Sequence, residues 1–221
     1  MKLLRSFAIA LAGVALLAVT ASAQTESLQF VSGGSVVASP PGVYVGPYQA
    51  RVTSLPGQPI IDIFCVDYYH EVYNNSVWTA NVENLGTSTL SLSRLGAGSQ
   101  QTYLEAAYLA GKFASAPTTS WGDIAFAIWN ITSGVPTTTT AQANLVADAI
   151  ANWKSVDATQ WQLLTDVAAY TCTNGTCTYN GTGTQEFLTH ATPEPGTMLL
   201  FGTGLLGVVI AGIIKRQSAA V

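Results

Sequence analysis

Residues 60–71 contain three kinds of side chain that could take part in catalysis or metal binding: a thiol, carboxylates and an imidazole. The segment reads IIDIFCVDYYHE and contains Cys65, Asp67, His70 and Glu71. A thiol near a histidine could act as a nucleophile, and carboxylates with a histidine could bind a metal. If the segment is a strand, however, Asp67 and Glu71 point to one face and His70 to the other. A shared metal is therefore not expected.

Two of the three cysteines lie in the nearly symmetrical segment YTCTNGTCTY, residues 170–179. Its central Asn-Gly pair favours a two-residue type I′ hairpin turn. Folding at that turn places Cys172 opposite Cys177 at a non-hydrogen-bonded position, where a disulfide can close. We therefore predict a hairpin that carries a Cys172–Cys177 disulfide.

Cys65 is then the unpaired cysteine of the chain. A free cysteine often serves as a small apolar core residue, because it is among the most buried residue types. The alternative is a reactive thiol, which would need a partner group. The residues around Cys65 leave both interpretations open.

The elements that must position these residues change in type along the chain. Strand-like segments rich in Val, Ile, Tyr and Phe come first, at residues 28–31, 43–52, 59–69 and 72–82. Helical spacing follows in three segments, at about 102–111, 120–134 and 141–153, with a possible short fourth helix from Asp157. The first of these contains a capping-box pattern at Thr102 and Glu105. The predicted fold class is α+β, with a β-rich N-terminal half, a helical middle and a closing disulfide hairpin over 167–179.

The N-terminus has the features of a secretory signal peptide. Lys2 and Arg5 precede an apolar run, and Ala21-Ser22-Ala23 fits a signal peptidase site. We predict a signal peptide over residues 1–23 and one extracytoplasmic domain over 24–192. That domain has four basic residues against eleven acidic ones, a net charge of −7, and no basic patch. Nucleic acid is therefore not an expected partner.

The C-terminal segment 193–221 combines a helix-breaking start with an apolar stretch. Residues 198–214 are uncharged, and these 17 residues are at the lower limit for a transmembrane helix. The positive charges of Lys215 and Arg216 follow directly, which predicts that the body lies on the opposite, extracytoplasmic side. The membrane is thus an expected partner through 198–214.

This arrangement resembles the PEP-CTERM sorting signal of Gram-negative bacteria. The residues that carry the resemblance are Pro193, Glu194, Pro195, Gly196, Lys215 and Arg216, around the 198–214 helix. The resemblance implies that the chain is the substrate of an exosortase, a membrane enzyme that removes the helix. It also implies membrane anchoring that is at least transient, followed by delivery to the cell surface or the exopolysaccharide matrix.

The body is similar, more loosely, to the thioester-type domains of bacterial surface proteins. The similarity rests on Phe64-Cys65-Val66-Asp67 and on the segment 124–129, IAFAIW. In that family the cysteine joins a glutamine in an internal thioester, but the glutamine position here is Ala125, which has no acyl group. Gln100 and Gln101 are the nearest substitutes in the preceding predicted helix. An intact thioester between positions 65 and 125 is therefore excluded.

We expect an exported, non-enzymatic protein with a structural or adhesive body, without cofactor or metal, whose partner is an exopolysaccharide or a surface protein. One alternative is covalent adhesion through Cys65. A less favoured one is a carbohydrate-active enzyme that uses a pair such as Asp62 and Glu71. The sequence also offers aromatic side chains that could stack on sugar rings: Tyr44, Tyr48, Tyr68, Tyr69, Tyr73, Trp78 and Trp121.

Overall fold

The computed structural model describes residues 24–34, 36–38, 42–173 and 176–191, together with Gly204. Its strands are β1 Gln24–Ser32, β2 Val37–Ala38, β3 Val43–Tyr44, β4 Tyr48–Val52, β5 Ile60–Cys65, β6 Val77–Asn84, β7 Trp161–Asp166, β8 Tyr170–Thr173, β9 Thr176–Tyr179 and β10 Phe187–His190. Six of them close an antiparallel barrel in the order β1-β4-β5-β10-β7-β6. The pairs β2-β3 and β8-β9 are separate two-stranded sheets.

The antiparallel registers define two ends of the barrel. The tail end collects the strand ends Gln24, Val52, Ile60, Asn84, Trp161 and His190. The far end collects the strand ends Ser32, Tyr48, Cys65, Val77, Asp166 and Phe187. The first strand thus starts, and the last strand finishes, at the same end of the barrel.

The barrel interior is filled by apolar side chains that alternate with outward-facing ones. Leu28 is fully buried and pairs with Val52 on one side and with Trp78 on the other. The ring of Phe187 lies edge-on to Tyr48, with centroids 6.2 Å apart, and 5.9 Å from Trp78. A six-stranded barrel is narrow enough for such side chains to fill it, so the strands enclose a packed core.

Three helices connect β6 to β7 and pack against one another: α1 Gln100–Ala110, α2 Trp121–Ser133 and α3 Thr140–Asn152. Helix α2 ends at Gly134, whose φ of 70° is the left-handed conformation that glycine adopts at low cost. Helix α3 begins after Thr139, whose hydroxyl accepts a bond of 3.1 Å from the backbone N–H of Gln142. The β-rich first half and the three central helices agree with the predicted fold class.

The prediction was wrong about the closing elements. The disulfide hairpin β8-β9 does not return to the main sheet; β7 and β10, which were not predicted, complete the barrel instead. The β7 sequence WQLLTD is buried on both faces, and so it lacks the alternation of a half-exposed strand. Strand β10 has only four residues, too few for a periodic pattern to stand out.

Two local predictions also need correction. Helix α1 begins at Gln100 rather than Thr102, and Glu105 accepts a bond from the Gln101 side chain at 2.9 Å instead of closing a capping box. The strand predicted over 59–69 ends at Cys65, because the chain turns to pack against α2.

Both predicted targeting segments fall outside the part of the chain that is described. This applies to the signal peptide 1–23 and to the membrane helix 198–214, of which only Gly204 is described. Within the described residues, none of the helices has the length and apolar character needed to cross a membrane.

Candidate functional site

Cys65 lies at the far end of the barrel and is 6% exposed. Its Sγ lies 3.2 Å from the carbonyl oxygen of Asp67, to which the thiol donates, and the indole Nε1 of Trp129 donates to the Cys65 carbonyl at 3.2 Å. Burial raises the pKa of the Cys65 thiol to about 12. At neutral pH the thiol is therefore protonated, and a protonated thiol is a poor nucleophile.

No glutamine named in the sequence analysis contacts Cys65. Ala125 is buried in α2, where its methyl group only packs. The Gln100 amide donates to Leu85 O at 2.5 Å, and the Gln101 amide donates to Glu105. The segments around Cys65 and Trp129 do meet, as the resemblance to thioester-type domains implied, but through the indole hydrogen bond.

The polar centre of the far end is Arg94, which lies between β6 and α1. Its guanidinium donates to Val66 O at 3.1 Å, to Thr132 O at 2.8 Å and to Ser133 Oγ at 3.3 Å. One side chain thus joins the segment after β5 to the C-terminal turn of α2. We call this residue, with Asp67 and Glu186, the arginine clamp.

The two carboxylates of the clamp are almost fully buried, each 1% exposed. Arg94 Nε lies 3.6 Å from Asp67 Oδ2 and 4.0 Å from Glu186 Oε2. Glu186 also accepts from the Arg94 backbone N–H at 2.7 Å, from Thr165 Oγ1 at 2.8 Å and from Tyr103 OH at 2.5 Å. These partners replace water, as a buried carboxylate requires.

His70 lies next to the clamp. Its Nδ1 is 2.7 Å from Asp67 Oδ2, and its Nε2 is 3.2 Å from Gly181 O and 3.4 Å from Tyr179 OH. The expectation that His70 and Asp67 point apart is wrong, because both lie in a loop after β5 where strand alternation no longer applies. Glu71 instead accepts from the hydroxyl of Tyr73.

The clamp joins one cationic side chain to two carboxyl groups. Burial raises the pKa of the Glu186 carboxyl, and Arg94 opposes that shift. Glu83, on β6, has its pKa raised to about 6, first by burial and further by the charge of Glu186. Within the described residues, no group of three or more metal-binding side chains is arranged to hold a metal ion. The geometry suits a polar clamp that fixes the loop after β5, α2 and β10.

The predicted disulfide is confirmed. Cys172 pairs with Cys177 in the expected register of β8 and β9, with Cα atoms 4.0 Å apart. The base of the hairpin is closed by a bond of 2.8 Å from Asn180 N–H to Ala169 O, between the residues that follow β9 and precede β8. Through the contact of Tyr179 with His70, the hairpin reaches the arginine clamp.

The two carboxylates suggested for a hydrolase lie on different segments. Asp62 is exposed in the middle of β5, where its carbonyl accepts from Thr189. Glu71 lies in the loop beyond β5, and no contact joins it to Asp62 in the described structure. The structure therefore does not bring them together as a pair.

Sequence reasoning missed the two residues that organise the far end, Arg94 and Glu186. Neither belongs to a motif, and 92 positions separate them. A signal was present, because Arg94 is one of only four basic residues between 24 and 192. In a chain with so few cations, a mid-chain arginine is a candidate for a buried pair.

The comparisons with known proteins bear on the tail alone. Residues 191–216 match the family model of the PEP-CTERM protein-sorting motif. No similar curated protein and no similar solved structure was found. The match starts at Ala191, one residue after β10, and spans the Pro-Glu-Pro and the Lys-Arg pair that suggested the resemblance. The chain thus carries a PEP-CTERM protein-sorting motif, which marks an exported protein for exosortase.

Proposed function

We propose that this protein is a non-enzymatic structural or adhesive component of the cell surface or of an exopolysaccharide matrix, and that exosortase delivers it there. The observation that carries the proposal is the sorting motif. It begins at Ala191, directly after β10, which is the last strand of the closed barrel. The cargo of the signal is therefore the whole barrel and not a flexible spacer.

The geometry of the chain ends supports the proposal. Strand β1 starts at Gln24, the residue that would follow signal peptide cleavage, and it starts at the tail end. Ala191 is held at the same end by a 2.8 Å bond from its N–H to Gln160 O. The described residues next to the two predicted targeting segments, Gln24 and Ala191, thus lie at the same end of the barrel.

The chemistry of the body supports a non-enzymatic role. The thiol at position 65 is buried and protonated, and the buried carboxylates are occupied by internal bonds. Such groups stabilise a fold but do not reach a substrate.

The test is the fate of the full chain in a bacterium with an exosortase and in the same strain without it. We expect the protein at the cell surface or in the matrix of the first strain, with a new C-terminus near Pro193 by mass spectrometry. In the second strain it should stay in the membrane with Val221 intact. A matched variant, Pro193→Ala with Pro195→Ala, should behave in the first strain as the wild type does in the second. Cytoplasmic protein, or identical termini in both strains, would refute the proposal.

A further inference from the structure

A groove of about 320 Å³ opens at the far end of the barrel. Its walls come from the end of β1, the β2-β3 hairpin, the loop after β5 and the residue before Glu186. Its lining includes Gly33, Tyr44, Tyr48, Tyr73, Asn74 and Gln185. The volume is at the lower limit for small-ligand sites in proteins.

Two aromatic rings stand at the groove with much of their surface in solvent. Tyr44 is 54% exposed and Tyr73 is 68% exposed. Exposed tyrosines on a folded domain bring a flat apolar face and a polar tip to a binding partner. Rings of this kind match the apolar faces of sugars, whose C–H groups cluster on one side.

The polar groups of the groove are neutral. Every described lining residue is uncharged. Gln185 donates from Nε2 to Asp67 O at 3.3 Å, and its Oε1 has no partner among the described residues. The Asn74 side chain is likewise without a partner in that part of the chain. Free amide groups offer both donors and acceptors, as hydroxyl-rich ligands require.

The aromatic walls are held in place before any ligand arrives. The Tyr48 hydroxyl donates to Tyr44 O at 2.7 Å, which fixes the β3 wall. A side chain at Gly33 would place its Cβ 3.2 Å from the Tyr44 ring, so glycine allows that ring to lie on the backbone. On the other wall, Tyr73 donates to Glu71, and Ser76 Oγ accepts from its backbone N–H at 3.2 Å. A preformed site loses less entropy on binding.

We propose that this groove binds a neutral polysaccharide chain, with Tyr44 and Tyr73 stacking on sugar rings and with Asn74 and Gln185 bonding to hydroxyls. The net charge of −7 over residues 24–192 opposes binding of anionic chains. The groove lies at the far end of the barrel, opposite to the end where His190 lies. This inference rests on the proposed adhesive role and names its partner.

The test uses the processed protein recovered from the exosortase host. Native gel electrophoresis through hydroxyethylcellulose, dextran or galactomannan should retard it with at least one of these neutral polymers. Alginate, which is negatively charged like the protein, should retard it less. Retardation by the positively charged chitosan would reflect attraction to the net negative charge and should be the same for the wild type and Tyr44→Ala. Tyr44→Ala and Tyr73→Ala should each weaken retardation about tenfold, as expected when an anchoring aromatic is truncated.

Two control variants separate binding from folding. Tyr69→Ala removes a tyrosine that is 66% exposed but does not line the groove, and it should leave retardation unchanged. Tyr73→Phe keeps the stacking ring but loses the bond to Glu71, so it should bind less tightly than the wild type and more tightly than Tyr73→Ala. The proposal is overturned if no neutral polymer retards the wild type, if only the charged polymers do, or if Tyr69→Ala weakens binding as much as Tyr44→Ala. Each of these results leaves the proposed function standing if the wild type still reaches the surface through exosortase.

Discussion

The two ends of the barrel are built on different chemistry. At the tail end the contacts are apolar and aromatic: the rings of Trp161 and His190 lie 4.1 Å apart, and Phe64 packs against Trp161 at 5.7 Å. At the far end, buried charges are joined by the arginine clamp, and the groove opens beside it. The difference is that the tail end combines aromatic packing with hydrogen bonds of neutral groups, such as Asn84 Nδ2 to Thr159 O at 2.9 Å, whereas the far end is joined by a buried arginine and its carboxylates.

The largest effect is expected from removing one partner of the clamp. Glu186→Ala removes one of the two carboxylates beside Arg94, while Asp67 stays 3.6 Å away. It also leaves three buried donors without their acceptor: the Arg94 backbone N–H and the hydroxyls of Tyr103 and Thr165. We expect the free energy of unfolding to fall by about 3–5 kcal/mol. Urea denaturation of the full chain, followed by tryptophan fluorescence, measures this.

The matched control is an exposed ion pair. Lys112 Nζ lies 2.9 Å from Asp148 Oδ2, and both side chains are about one-third exposed. Asp148→Ala should therefore lower the free energy of unfolding by less than about 1 kcal/mol. If the two substitutions cost the same, the clamp is not the organising feature of the far end.

A second prediction concerns Glu83, whose pKa is raised first by burial and further by the charge of Glu186. Glu83 has a pKa of about 6 in the folded protein and 4.5 when unperturbed, so the folded state binds its proton more tightly. The contribution of this carboxyl to the free energy of unfolding is then complete below about pH 4.5 and is lost as the pH rises through 6. The expected fall is about 2 kcal/mol, at about 1.4 kcal/mol per pKa unit.

Glu83→Gln tests the sign of that dependence. The amide oxygen can still accept from Leu92 N–H, which bonds to Glu83 at 3.1 Å, but the titrating charge is gone. Urea midpoints measured between pH 4 and pH 7 should change less in the variant than in the wild type. A wild-type protein whose stability rises over this range would contradict the prediction.

The tail end should respond more weakly to a single substitution. His190→Ala removes the ring that stacks on Trp161 and also contacts Phe64. We expect the free energy of unfolding to fall by about 1 kcal/mol, which is the usual contribution of one aromatic pair. The urea midpoints of His190→Ala and Glu186→Ala should be compared. If His190→Ala lowers the midpoint more, packing at the tail end contributes more to stability than the clamp does.

The smallest change is expected at the thiol. Because the pKa of Cys65 is raised to about 12, iodoacetamide at pH 8 should label it at least about tenfold more slowly than an unfolded thiol. Intact mass should show one disulfide and no loss of ammonia, and 6 M guanidinium should make Cys65 fully reactive. A mass lower by one ammonia, abolished in Cys65→Ala, would instead support the covalent-adhesion alternative and make the far end a reactive one.

Features that depend on interactions between residues close in sequence were predicted correctly, and features that depend on distant residues were not. The helices α2 and α3 were predictable because their apolar spacing is local. Their boundaries are also local: Gly134 ends α2, and Thr139 precedes α3. Strands β7 and β10 were not, because their residues are buried on both faces or too few to show a period. Barrel closure depends on partners that local periodicity does not specify.

The site shows the same division. The chemistry of residues 60–71 was apparent, yet the relation of Asp67 to His70 was predicted wrongly, because the end of β5 is set by packing against α2. The groove joins Tyr44, Tyr73 and Gln185, which come from three separate segments. A list of aromatic residues could not say which rings face solvent together.

The sequence by itself determined two features, and each lies in one contiguous segment. One is the Cys172–Cys177 hairpin within residues 170–179, and the other is the sorting motif over 191–216. Short segments of this kind carry their own geometry or are read directly by another protein. What only the tertiary structure decided is the closed barrel, its two ends and the arginine clamp, in which Arg94 meets Val66, Thr132 and Glu186. Those contacts stabilise the protein only after the strands have paired, because a buried charge finds its partners by folding and not by position along the chain.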